Sequence, residues 1–391
     1  MRIKNFNDGM KSFNIEQFLA AFLFVILFLE NDSRFGSIYF KGFSIILGLI
    51  VSLLLLKGKK VDKHRLQVYS VFVSTAVLNL IFTGTMGVLS FLMIFVSYYA
   101  VARALYFLED DLLVWKIASL FVIIYVIVNR FINLRRGEWY NLFADLSRNY
   151  VSVFIILSLF VYASVIRKSR VPKKVTLPFF LGAFVASVWA IGRGGIIATG
   201  LMLAIYILYI IFAKYEVKLW KKCLITLLII AIAVYVFQNL DYIMKNYFSR
   251  FVGIGRERTS IDSGTTRLYY INIYWKSLRV VKNFLFGTNI YMMDIGRGFF
   301  SNLHNSYLTL HAHYGIFGCM LIIGIVIKAI FRLVRKKEII FVAIIIGFFL
   351  RAAWDLMFPY FIGDIVIFYM FFIATEGKGK HNRWTTITKK L

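Results

Sequence analysis

Chemistry in this chain is most concentrated in Leu303-His304-Asn305-Ser306-Tyr307-Leu308, followed by Tyr314-Gly315-Ile316-Phe317-Gly318. Of all side chains, histidine ordinarily titrates closest to neutral pH, so it can take a proton from an attacking hydroxyl. His304 stands at the mouth of an apolar run, directly after the only long polar loop. An ionisable group held at a membrane surface is costly and marks a functional candidate. The plain alternative is an interfacial histidine satisfied by its neighbours. His311 and His313 lie further along the same run. At 3.6 residues per turn His304 and His311 share a face, while His313 points elsewhere. Two turns separate the first pair by about 10.5 Å, too far for one ion, so no metal site is expected.

Two arginines have contexts suited to an anion. Arg193 is flanked by glycines in Gly192-Arg193-Gly194-Gly195. Glycine lets backbone and ligand approach closely, and a guanidinium fork suits phosphate or carboxylate. An exposed turn residue snorkelling to water is the other reading. Arg267 follows Ser263-Gly264-Thr265-Thr266 and opens a run with Leu268, Ile271, Trp275, Leu278 and Val281 at helical spacing. With Ser263 as N-cap, Arg267 falls in the first turn, where a cation opposes the helix dipole and an anionic ligand repairs the conflict. A salt bridge to Asp262 or Glu257 is the alternative. Tyr269, Tyr270, Tyr274 and Trp275 suit stacking on sugars, or interface anchoring and packing. Asn305 and Tyr307 beside His304, with the outer arginines Arg136 and Arg351, complete the expected substrate-binding set.

The elements that must position these residues are membrane helices. The chain of 391 residues is 60% apolar. It repeats unbroken apolar runs of about 17 to 25 residues, the length that crosses a roughly 30 Å hydrocarbon core. Expected spans are 15–29, 38–56, 66–82, 86–106, 112–129, 149–166, 177–192, 195–213, 219–238, 304–327, 338–353 and 359–374. This is an all-α polytopic membrane protein of about 12 transmembrane helices. The first run lacks a small-residue cleavage site and ends in Glu30-Asn31-Asp32, so it is expected to remain as a span. Cys223 and Cys319 read as packing residues, not as a disulfide.

Basic residues sort the loops. Lys57, Lys59, Lys60, Lys63 and Arg65 fill one; Arg167, Lys168, Arg170, Lys173 and Lys174 a second. Lys214, Lys218, Lys221 and Lys222 fill a third, and Lys328, Arg332, Arg335, Lys336 and Lys337 a fourth. With the tail at Lys378, Lys380, Arg383, Lys389 and Lys390, all share one side if both termini are cytoplasmic. Residues 177–213 are then a hairpin turning at Gly192–Gly195, and residues 338–374 another turning between Arg351 and Pro359. The opposite side carries the 130–148 loop and a large extracytoplasmic loop over 239–303, the latter with Arg250, Arg256, Arg258 and Arg297 among its cations. No internal repeat divides the chain, so residues 1–391 read as a single integral membrane domain. The net charge of +27 belongs to cytoplasmic loops and outer arginines rather than to a nucleic-acid surface.

The residues resemble the Wzy/WaaL family, the O-antigen polymerases and ligases of bacterial polysaccharide assembly. The resemblance rests on the large late outer loop, Ser187…Gly192-Arg193-Gly194, Ser263-Gly264-x-x-Arg267…Trp275, Asn283-x-Leu285-x-Gly287, and His304-Asn305-x-Tyr307-Leu308 with Gly315-x-x-Gly318. It covers roughly residues 187–318; the first 150 match in hydropathy alone. It implies a GT-C-like fold in the bacterial cytoplasmic (inner) membrane. It also implies a glycan donor on undecaprenyl diphosphate, transferred outside the membrane to an acceptor hydroxyl without a metal or other cofactor. Carried over residue by residue, the donor-binding arginines match Arg193 and Arg267, and the base matches His304.

That chemistry is coherent by itself. A sugar diphosphate is a good leaving group, so positive charge is needed where the diphosphate gathers charge, and a base where the hydroxyl loses its proton. Attack opposite the diphosphate inverts the anomeric centre. The expectation is a metal-independent inverting glycosyltransferase: a repeat-unit polymerase for O-antigen or capsular polysaccharide. Its partners would be the lipid-linked oligosaccharide, membrane lipid and a chain-length regulator protein. An O-antigen ligase is the near alternative. A metal-dependent transferase using Glu30-Asn31-Asp32 and a non-enzymatic flippase or transporter are the distant ones.

Overall fold

Apolar runs bounded by charged or glycine-bearing turns become helices in the computed structural model, which describes residues 14–56, 63–83, 88–108, 113–136, 141–143, 146–168, 176–190, 192–214, 263–290, 303–359 and 361–376, with isolated positions between 220 and 242. In order these are α1 (Ile15–Leu29), α2 (Ile38–Leu56), α3 (Lys63–Thr83), α4 (Val88–Leu92), a π-helical turn (Met93–Tyr98) and α5 (Tyr99–Tyr106). Then come α6 (Leu113–Arg135), a strand pair β1 (Asn141–Phe143) and β2 (Leu146–Ser147), α7 (Tyr150–Lys168), α8 (Thr176–Trp189) and α9 (Arg193–Lys214). The described chain resumes with α10 (Ser263–Ser277), α11 (Val281–Phe286), α12 (Ser306–Arg335), α13 (Ile339–Ala352) and α14 (Asp364–Ala374). The short antiparallel pair, with Asn141 opposite Ser147, is a departure from the all-helical expectation.

Among the described residues, seven segments can cross a membrane by length and composition: Ile38–Leu56, Lys63–Thr83, Leu89–Tyr106, Leu113–Arg135, Tyr150–Arg167, Arg193–Phe212 and Ser306–Arg335. Ile15–Leu29, Leu177–Trp189, Ile339–Ala352 and Asp364–Ala374 are shorter apolar helices. The molecule is an α-helical, many-pass membrane protein. The expected span at 219–238 and the loop from 239 to 262 lie almost wholly outside the described residues. Also outside them are Cys223, Asp262, Glu257, Arg250, Arg256, Arg258, Arg297 and the tail beyond 376.

Helix ends gather on two faces. On the first, Gln17 near the start of α1 bonds the end of α5 through Ala104 O and receives Trp115 Nε1 from the start of α6 at 2.9 Å. Arg65 at the start of α3 lies over the rings of Tyr106, Phe107 and Phe372. Arg167 at the end of α7 pairs with Glu338 before α13. Lys336 at the end of α12 meets Glu376 at 2.6 Å, and Arg332 donates to Ile373 O and Glu376 O. The basic residues of the sequence thus cap helix ends of one face, where a cation also suits the C-terminal dipole of α12. The opposite face holds the ends of α1 and α6 and the starts of α7, α9 and α12.

Between lipid-facing helices there is no hydrophobic drive, so packing and polar ties hold a membrane bundle together. Here α14 is the centre. Every residue from Asp364 to Ala374 is buried. Its Phe368, Tyr369 and Phe372 meet the rings of Phe72 on α3, Tyr99 and Tyr106 on α5, Phe160 on α7 and Phe341 on α13. Such ring pairs contribute about 0.5–1.5 kcal/mol each. By contrast α2, α3 and α6 leave Leu53, Ile81 and Ile117 exposed on faces suited to acyl chains.

Both expected reversals occur, with differences. The first falls at Ala190–Gly192, so Arg193 is the first residue of α9 instead of the middle of a turn; α8 and α9 pack together as a hairpin. The second spans 353–363, but its helices go mainly to different partners. α13 lies against α9 and α7, and α14 against α12 and α5. Arg351 provides the reason, since its tie to the start of α7 fixes the end of α13 there.

Candidate functional site

The entry to α12 is sewn to the turn after α13. Asn305 is the N-cap: its Oδ1 accepts from Tyr307 N at 2.9 Å and Leu308 N at 3.1 Å, while its Nδ2 donates to Ala353 O at 3.0 Å. Ser306 Oγ donates to Asp355 O and accepts from Met357 N, both at 2.7 Å. Tyr307 OH donates to Phe349 O at 2.7 Å. His304 precedes this cap with φ of 49°, a left-handed backbone uncommon outside glycine. Its imidazole lies beside the 353–357 turn, and residues with such a strained backbone cluster at functional positions. Its Nδ1 lies 3.5 Å from Asp355 Oδ1, with one third of the histidine side chain exposed and the carboxylate buried.

Asp355 is in turn held by Arg351. The Arg351 Nη2 donates to Asp355 Oδ2 at 2.5 Å and to Asn149 O at 2.8 Å, and Nε donates to Ser152 Oγ at 2.9 Å. Arg351 is only 1% exposed, yet its Nη1 has no hydrogen-bond partner among the described residues. That nitrogen faces the start of α9: a Cβ placed on Gly194 would lie 3.3 Å from it. The next residue, Gly195, sits directly on the Ser152 side chain. Small residues at 194 and 195 therefore let the N-terminus of α9 close onto Arg351 and α7. The first turn of a helix carries unsatisfied N–H groups and partial positive charge. With a buried guanidinium nitrogen left over beside it, the locale favours an anion.

A contact chain thus runs from α9 through Arg351 and Asp355 to His304, all on the face opposite the basic caps. Of the expected site residues, it gathers His304, Arg351 and the helix end bearing Arg193, whose side chain is exposed. Tyr307 and Asn305 adjoin it, the asparagine amide being engaged at both ends in capping. Arg136 is exposed at the end of α6, and no hydrogen bond or ion pair among the described residues ties it to His304. Arg267 lies on α10; its side chain is outside the described residues. The described α10 opens at Ser263, so Ser263 is its first helical residue and Arg267 falls just past the first turn.

The face of α10 that packs differs from expectation. Tyr270 and Tyr274 are buried, whereas Leu268 and Trp275 of the apolar stripe are exposed. Beneath α10, the 281–290 segment docks on a kink in α12. Gly315 breaks the helix with φ of 63° and ψ of −173°. Asn79 Nδ2 donates to Ala312 O and to Phe286 O, and Thr288 N donates to Ala312 O at 3.2 Å. Gly287, at φ of 89°, lies so close to Ala312 O that no side chain fits, and Gly315 is as close to Leu285 O. Gly287 and Gly315 are the two sides of this contact, whereas Gly318, spaced with Gly315 in the sequence, lies against Tyr314.

In the Glu30-Asn31-Asp32 stretch after α1, the aspartate is closed off by its neighbours. Asp32 is buried in a bidentate pair with Arg34 and accepts from Tyr125 OH at 2.8 Å. Burial pulls its carboxyl upward, but the bonds from Arg34 and Tyr125 outweigh this and hold it below the ordinary aspartate value.

Asp355, Ser152 and Asn149 were missed from sequence. A signal existed for Asp355: Arg351 and Asp355 are four residues apart, the spacing of an ion pair on one helical face. Comparison with protein families, with curated proteins and with solved structures finds no match.

Proposed function

We propose that this chain is a membrane glycosyltransferase that polymerises oligosaccharide repeat units of an O-antigen or capsule. It takes the glycan from undecaprenyl diphosphate and passes it to an acceptor sugar hydroxyl on the outer face of the bacterial cytoplasmic membrane. The observation that carries this reading is the contact chain of Gly194, Arg351, Asp355 and His304 on one face. It supplies a base, a carboxylate to orient it and cationic groups beside a helix N-terminus. By the positive-inside rule the basic face is cytoplasmic, as are both termini, which puts His304 outside.

In the reaction, the acceptor oxygen bonds to the anomeric carbon as the bond from that carbon to the diphosphate oxygen breaks, the electron pair leaving with the diphosphate. Inversion follows from attack on the opposite side. With Nδ1 turned to Asp355, the His304 Nε2 receives the hydroxyl proton, and the Asp355 carboxylate stabilises the imidazolium. Arg193, Arg267 and the start of α9 provide positive charge for the leaving diphosphate, a form of preorganised electrostatics. Arg351 is placed to hold Asp355 and to add its charge. The twelve-pass count and the GT-C-like arrangement belong to this reading, as does a chain-length regulator as partner.

Deleting the gene and examining the surface glycan tests it. Single repeats on the carrier support polymerase; long chains stranded on the carrier support ligase; a depleted lipid-linked pool outside with glycan trapped inside supports a flippase. His304→Ala and Arg267→Ala each abolish polymer at normal protein levels. Full activity in either variant counts against the assignment.

A further inference from the structure

His311 plays no part in the proton transfer above, yet both of its ring nitrogens are engaged. Its Nε2 lies 2.9 Å from Phe284 O, and its Nδ1 lies 2.6 Å from Tyr274 OH. A carbonyl can only accept, so Nε2 carries the hydrogen. In the neutral ring Nδ1 is then bare and accepts from the tyrosine hydroxyl. One neutral ring is fixed at both nitrogens and joins three elements: α10 through Tyr274, α11 through Phe284 and α12 through its own backbone. Tyr274 is fully buried and Phe284 O lies just before the Gly287 contact.

Tyr274 is seven residues after Arg267 on α10, two turns or about 10.5 Å, and therefore on the same side of the helix. Seven residues also separate His311 from His304. The bond between residues 274 and 311 therefore lies at equal sequence offsets from the proposed cation and the proposed base. We infer that Tyr274 and His311 are positioning residues: a clamp that seats α10, and so Arg267, against the His304 end of α12. This deepens the proposed function and rests on it for the role of Arg267. The clamp itself rests on the two hydrogen bonds.

The test uses the full chain in nanodiscs, with Tyr274→Phe, His311→Leu and the double variant. Tyr274→Phe removes one oxygen and keeps the ring, so it folds where His311→Leu fails to. Amide hydrogen exchange over residues 268–286 is expected to rise about tenfold in Tyr274→Phe, the loss of roughly one buried hydrogen bond. With a purified lipid-linked donor, turnover falls while acceptor KM holds. The double variant is no worse than the worse single one, because both remove the same link. Unchanged exchange over 268–277 in Tyr274→Phe, or additive losses in the double variant, overturns the clamp. If exchange rises but Arg267→Ala keeps full activity, the clamp stands and the glycan-transfer reading fails.

Discussion

At the scale of single residues, Asp355 decides most. It faces His304 with one oxygen and Arg351 with the other, and it is buried with Arg351. Breaking one partner of a buried pair strands the other charge, typically at about 3–5 kcal/mol. Asp355→Ala should therefore lower thermal stability in detergent sharply, and Arg351→Met with Asp355→Ala should recover most of the loss. Asp355→Asn keeps shape but not charge. Its expected loss of turnover is smaller than that of His304→Ala, for which a general base predicts about 10²–10⁴-fold. Equal losses in both variants would mean that Asp355 does more than orient the imidazole. His304 was legible because a histidine at a helix mouth is unusual by type and place. The meeting of Asp355 with His304 was not, because the two lie 51 positions apart and come together only when the chain has folded back.

Among the elements, run length told most. α1 and α2 have the bounds that their apolar runs imply, and the turn after Trp189 lies where two basic flanks require a reversal. Length says nothing about which side of a helix finds a partner. On α10 the exposed Leu268 and Trp275 made the stronger periodic pattern, yet two tyrosines with hydroxyls pack inward. Bonding with His311 outweighs apolar area there, and a hydrophobic outer side is no burden near lipid. Nor does periodicity reveal the kink of α12, since glycine was compatible with an uninterrupted helix. Gly315→Ala and Gly287→Ala test this element. Each adds a methyl at positive φ against a carbonyl oxygen, so each should destabilise by about 1–3 kcal/mol or more, read as a lower melting temperature. Gly324→Ala, on an open side of the same helix, should be neutral.

For the whole molecule, the two faces are the main claim. In a cysteine-free background, cysteines at Ser33 and Arg279 should react with an impermeant maleimide on intact cells. Cysteines at Lys63 and Lys337 should react only after permeabilisation. Labelling at Lys63 from outside would reverse the orientation and strand His304 in the cytoplasm. The Asp32–Arg34 pair gives the face that carries His304 a pH dependence with a defined sign. Its carboxyl is held below the ordinary value of about 3.9, so its contribution is complete above that value and is lost as pH falls through the lowered native one. Asp32→Asn should flatten the acid limb of the melting temperature without altering its neutral plateau shape.

The buried α14 carries a consequence for biogenesis. A ribosome reaches residue 374 only when nearly all of the described chain has been made, yet that stretch occupies the middle of the bundle. Earlier helices must wait in the bilayer as a loose ring, with Phe72, Tyr99, Phe160 and Phe341 lacking their shared neighbour. Nascent chains stopped before Asp364 should be protease-sensitive at every turn, and resistance should appear in one step once the plug is released from the exit tunnel and inserted.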